Sequence, residues 1–197
     1  MSTIVIKNKA EIQAYIPAWD ELAKNCVESN AFYESWIFNP ALQTLGDKEN
    51  LNLVLIFSDE PQHTSKLIGF FPFVEVKKFH HLPIRHLALW QYPQCFLSTP
   101  LIHKDFVEEC YIQLTSWIQS LPKNLWMVRM KMVCGDGPFY NSFSSFLLTN
   151  QKNFEVTRFD RAILKKITSV EKFFKESISK KMLHELKRKK KWFSKNR

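Results

Sequence analysis

Apolar residues recur with one period at the start of the chain and another in its middle, and the change divides it into elements. Ile12, Tyr15, Ile16, Trp19, Leu22 and Ala23 fall on one side of a helix of 3.6 residues per turn. Asn8 and Glu11 stand ahead of it with capping-box spacing. Pro17, inside the pattern, predicts two short helices or a kink, because proline lacks the N–H that a helix interior uses. Residues 3–7 form a β-branched run and a candidate first strand. A second helical stretch covers residues 33–45, interrupted by Pro40 and closed by Gly46 at a C-cap position.

The period then shortens. Residues 51–58 and 66–79 are rich in strand formers and flank Asp59-Glu60-Pro61, which predicts an antiparallel hairpin. Residues 84–91 extend the sheet, and residues 96–102 continue it past Tyr92-Pro93. Asp105 opens an amphipathic helix with Phe106, Cys110, Tyr111, Leu114, Trp117 and Ile118 inward, stopped by Pro122. A strand over 126–133, a helix over 138–149 and an extended stretch over 154–166 follow. Thr168 and Glu171 have capping-box spacing before Phe173-Phe174, and a basic helix begins near Ser179. The order β-α-α-β-β-β-α-β-α-β(β) predicts an α/β fold with a mixed sheet sandwiched between helices. Residues 1–166 form the expected domain, and residues 167–197 a linker and basic helix.

Charge sharpens that division. The chain has 28 Lys and Arg against 19 Asp and Glu, a net +9. Ten of those cations and two of the acids lie between Lys175 and Arg197, so the body is nearly neutral. A basic segment without glycine or proline, ending on Trp192 and Phe193, reads as the first element of something further. The 17 Phe and 6 Trp supply ample core. No N-terminal apolar run has the length of a secretory signal. The longest apolar stretch, residues 67–74, falls well short of the roughly 20 residues a membrane helix needs. Four cysteines without C-x-x-C spacing read as reduced thiols, so a soluble cytoplasmic protein is expected.

Three stretches carry a family resemblance: Trp19-Asp20-Glu21-Leu22 with Asn30-Ala31-Phe32-Tyr33-Glu34-Ser35-Trp36; Leu67-Ile68-Gly69-Phe70-Phe71-Pro72-Phe73; and Ser179-Lys180-Lys181 with Glu185-Leu186-Lys187-Arg188. Together with the element order they resemble GNAT acyltransferases of the CelD-like and Fem-like branch, built from two GNAT-type halves. The resemblance implies a GNAT-like three-layer sandwich and transfer of an acyl group from acyl-CoA (acetyl-CoA) to an amine. It also implies that this chain is the N-terminal half, with a missing or separate second half as partner. GNAT enzymes grip the CoA pyrophosphate with Q/R-x-x-G-x-G/A leading into a helix, where backbone N–H groups and the helix dipole favour an anion. Here residues 99–109 contain no glycine, while Asp105, Glu108 and Glu109 bring negative charge to that position. No cofactor is therefore expected on this chain alone, and the resemblance assigns it no catalytic residue.

Other candidates each have a plainer reading beside them. Cys134-Gly135-Asp136-Gly137 lies between a strand and a helix, the setting of an anion nest, but Asp136 is favoured as a helix N-cap. Cys134 reads as a small thiol rather than a nucleophile. His80, His81, His86 and Cys95 lack the close spacing of a metal site, so no metal is expected. Phe32, Trp36, Trp90 and Tyr92 are candidates to line a substrate groove, with core packing as the alternative. On the basic helix, Lys180, Lys181, Lys187, Arg188 and Lys191 are candidates to contact nucleic acid or anionic lipid, and a non-enzymatic nucleic-acid-binding module is the alternative function; a solvated helix that docks between domains is the plainer reading.

Overall fold

Strand β3 (Leu67–Val76) organises the molecule because its apolar run is buried on both faces. In the computed structural model, residues 1–59, 65–125, 127–150, 155–161, 169–170, 172–173 and 178–195 are described. They fall into two units, Met1–Glu155 and Val156–Arg197.

In the first unit, β3 pairs antiparallel along one edge with β2 (Leu51–Phe57), which pairs antiparallel with β1 (Ser2–Ile6). The other edge of β3 is shared. Residues 73–76 take β4 (His86–Leu89), and Gly69 and Phe70 take β5 (Leu101–Ile102). Residues 90–100 leave the edge between these two pairings and return to it. After β5 comes a helix, α3 (Val107–Ser120), which leads to β6 (Val128–Arg129), parallel to β4. An antiparallel N-terminal sheet joined by a helical crossover to a parallel strand is the mixed α/β architecture expected.

Side-chain alternation distributes the two layers of helix. Phe70 faces α1 (Ile16–Lys24) and α2 (Ser35–Leu45), with its ring 4.3 Å from Trp19 and 5.3 Å from Phe38. Gly69, Phe71 and Phe73 face the opposite way. Phe73 stacks on Trp117 of α3, and a Cβ at Gly69 would stand 2.5 Å from Cys110 Sγ and 2.9 Å from Phe71. Glycine is required there because α3 and β3 approach so closely. On the same face Gln113 of α3 donates to Thr3 of β1, and α4 (Pro138–Asn150) covers α3 through Phe139, Phe143 and Phe146 around Tyr111. The sheet thus lies between two helical layers.

Several local expectations change. Asn8 forms no capping box; its carboxamide oxygen accepts from Ala10 N–H, and residues Glu11–Tyr15 form a 3-10 helix. Pro17 does break the pattern, sitting at the start of α1, where its missing N–H costs nothing. Pro40 does not interrupt α2. The carbonyl it leaves without a helical donor belongs to exposed Trp36, where water can bond it. Gly46 is the C-cap of α2 as expected, but with φ −73° it continues into a 3-10 turn rather than turning left-handed, and a Cβ there would stand 3.0 Å from Leu42.

Asp105 does not cap α3, whose N-cap is Phe106, although Glu108 and Glu109 do fill its first turn. The helix ends where Leu121 turns extended before Pro122. The strands expected over 96–102 and 126–133 contract to β5 and β6, and residues 155–161 form no strand. Glu60, Pro61, Trp126, Thr168, Glu171, Phe174 and residues 162–166 lie outside the described residues.

In the second unit, Ser179 caps α5 (Lys180–Lys195), its hydroxyl accepting from Met182 N–H at 3.3 Å. Among the described residues no helix is long and apolar enough to cross a membrane.

Candidate functional site

An open cleft of about 380 Å³ runs beside α1 and the start of α2, lined by Asp20, Ala23, Lys24, Glu34, Ser35 and Trp36. Its walls are set by buried anchors next to each lining residue. Trp19 is fully buried and donates its indole N–H to Tyr33 O at 2.9 Å, which turns the neighbouring Asp20 outward. Ser35, at the first turn of α2, donates its hydroxyl to Asp20 Oδ1. Trp36 is 66 % exposed and donates its indole N–H to Glu34 Oε2 at 2.7 Å. Lys24 extends toward Glu21, 3.5 Å away. Two carboxylates, the Lys24 ammonium and one exposed indole line the cleft, a combination with one net negative charge that suits a cation.

The segment before α2 is bolted to residues 90–100. Asn30 is buried; its amide donates to Leu97 O and Thr99 O, and its oxygen accepts from Phe32 N–H. Tyr33 donates to Trp90 O, and Tyr92 to Phe32 O. Of the four aromatic groove candidates, Trp36 lines the cleft, and Phe32 is half-buried against Phe96, their rings 6.0 Å apart. Trp90 and Tyr92 are buried in the core around Phe38.

At the mouths of α3 and α4, groups of the chain itself take N–H donors that a phosphate would otherwise need. Ahead of α3, His103 N–H donates to Ile68 O, Lys104 N–H to Asn25 O, Asp105 N–H to His103 Nδ1 and Phe106 N–H to His103 O. His103 is buried, and burial holds its imidazole below the ordinary 6.5, keeping Nδ1 an acceptor. At α4 the anion is Glu28. Its carboxylate accepts from Phe139 N–H at 3.2 Å and from the Thr99 hydroxyl at 3.3 Å. A Cβ on Gly137 would collide with that carboxylate, so the glycine admits it. Asp136, the expected N-cap, instead accepts from the Cys134 thiol at 3.1 Å.

Nothing here activates a thiol. The hydrogen bond to Asp136 raises the pKa of Cys134; burial raises Cys26, pushes Cys95 up to about 11, and raises Cys110 further. His80 adopts a positive φ of 51° in a turn, and His86 is buried in β4. Among the described residues no three His, Cys, Asp or Glu converge as metal ligands would. Lys180, Lys181, Lys187, Arg188 and Lys191 are all exposed on α5.

Sequence reasoning passed over Glu28, because its partners lie 71 and 111 residues away. Asp20 and Ser35 lay inside the stretches that carry the family resemblance, but nothing local signals that they meet.

No protein-family model matches this chain, and no curated protein does. Among solved structures it is similar to the aminoglycoside antibiotic 6'-N-acetyltransferase AAC(6')-IG from Acinetobacter haemolyticus. The two are 13% identical with a TM-score of 0.44, over 83% of this chain and 99% of the other.

Proposed function

We propose that the Met1–Glu155 unit is the acceptor-binding domain of a GNAT-type N-acyltransferase, presenting a cationic amine, with a second GNAT-type domain holding the acyl-CoA. In the reaction the ammonium first loses one proton to water; the neutral amine nitrogen then bonds the acyl carbon, the C–S bond breaks, and the nitrogen's second proton ends on the leaving thiolate. The Asp20–Glu34–Trp36 cleft would hold the substrate's positive charge. The antiparallel sheet followed by the β4–α3–β6 crossover supports the GNAT-type reading.

One observation carries the division of labour: the four consecutive N–H groups of residues 103–106 all donate within the chain. A phosphate cradle needs such groups aimed outward. The acids Glu108 and Glu109 in the first turn of α3 further disfavour an anion there.

Isothermal titration of acetyl-CoA into the purified chain is expected to give no binding heat. A micromolar affinity would overturn the assignment of the cofactor to another domain. The acceptor half of the reading is tested separately with spermidine, which should quench the fluorescence contributed by Trp36. That quenching should be lost in the Asp20→Asn/Glu34→Gln double variant; an unchanged response would remove the cleft from the proposal.

A further inference from the structure

The apolar side of α5 is exposed, and its chemistry is not that of a solvated helix. At 100° per residue, Met182, Leu186 and Phe193 fall within about 40° of one another, and Leu183 borders them. Met182 is 57 %, Leu186 40 % and Phe193 64 % exposed. Across the helix, Lys180, Lys181, Lys187, Arg188 and Lys191 form one basic sector, with Glu185 the sole acid of the helix and held by Arg188 at 3.1 Å. Lys189 and Lys190 flank the apolar sector on either side, where long stems can cross apolar surface while the ammonium stays at a polar boundary. Trp192 packs edge-on against Phe193, with ring centroids 5.1 Å apart, at the C-terminal end.

We propose that α5 is an interfacial helix that lies on an anionic lipid surface, its apolar sector among the acyl chains and its lysines among headgroup phosphates and carboxylates. This goes beyond the acyltransferase reading and does not depend on it. Charge complementarity selects the partner's sign, and the apolar sector selects its kind. A nucleic acid would engage the basic sector and leave Met182, Leu186 and Phe193 in water. A bilayer surface takes both sectors at once, and an indole at the boundary suits the headgroup layer. Sixteen residues give a helix of roughly 24 Å, suited to lying in the plane of the surface.

The test is sedimentation of the full chain with phosphatidylcholine vesicles and with vesicles containing phosphatidylserine, beside a fluorescence titration of a labelled RNA duplex. The expected result is binding to the anionic vesicles at least tenfold tighter than to the neutral ones, weakened by salt. Leu186→Glu and Phe193→Glu, each exposed and thus compatible with an intact helix by circular dichroism, should each reduce that binding at least tenfold. Lys187→Glu/Arg188→Glu should weaken it and flatten its salt dependence. No vesicle binding would overturn the proposal. So would vesicle binding indifferent to Leu186→Glu and Phe193→Glu, or an RNA affinity exceeding that for anionic vesicles.

Discussion

The cleft beside α1 and the mouth of α4 both contain carboxylates, yet they are opposite kinds of place. At α4, Glu28 meets a main-chain N–H and a hydroxyl from distant segments, and its charge is absorbed by the helix end. In the cleft, Asp20 and Glu34 take side-chain donors from the wall itself and remain on an open surface with an exposed tryptophan. The difference teaches that a carboxylate's role follows from what its oxygens already hold. The acid at α4 completes a fold, whereas the acids of the cleft stay beside an open surface.

The largest way to break this comparison is to remove the anchor behind the cleft. Trp19→Ala should cost about 3–5 kcal/mol in urea unfolding, because a fully buried indole in contact with Phe38 and Phe70 leaves a cavity. A loss below about 1 kcal/mol would mean that the cleft wall does not rest on the core. Gly69→Ala should cost about 1–3 kcal/mol by overpacking against Cys110 and Phe71, with part of it restored in Gly69→Ala/Cys110→Ala. If the single variant were neutral, α3 would stand further from β3 than 2.5 Å from Cβ to sulfur implies.

Glu28→Ala tests the closed mouth and should cost about 1 kcal/mol, as loss of a helix N-terminal acceptor does. Trp36→Ala is the counterpart in the open cleft. It should change stability by less than about 0.5 kcal/mol while weakening spermidine binding measured by calorimetry. Equal stability losses at Glu28 and Trp36 would erase the distinction drawn between the two regions.

The smallest effect is a slope. Because burial lowers the folded-state pKa of His103 below 6.5, the folded state holds fewer protons than the unfolded one. The contribution is therefore complete above pH 6.5 and is lost as pH falls through the lower folded value. His103→Asn, which keeps an acceptor for Asp105 N–H, should flatten the stability curve in that acid window. An unchanged curve would assign the slope to other groups.

Much of the scaffold was legible along the chain because it is local. The hairpin of β2 and β3, the inward stripe of α3 and the split at Pro17 follow from periodicity and proline chemistry. The misreadings occur where a distant residue intervenes. Pro40 is tolerated because its orphaned carbonyl is on an exposed residue, and Phe106 rather than Asp105 begins α3. Residues 96–100 carry strand formers, yet Asn30 holds two of their carbonyls away from the sheet.

By itself, then, the sequence determined the alternation of elements, the aromatic core and the separation of a neutral body from a basic helix. Those properties depend on neighbours a few residues apart and on composition. Only the tertiary structure decided that Asp20 meets Ser35, that Glu28 closes α4 and that the loop before α3 consumes its own N–H groups. Each joins segments whose separation along the chain carries no periodic signal. Hydrogen bonds form where packing brings donor and acceptor within about 3 Å, and packing belongs to the whole fold.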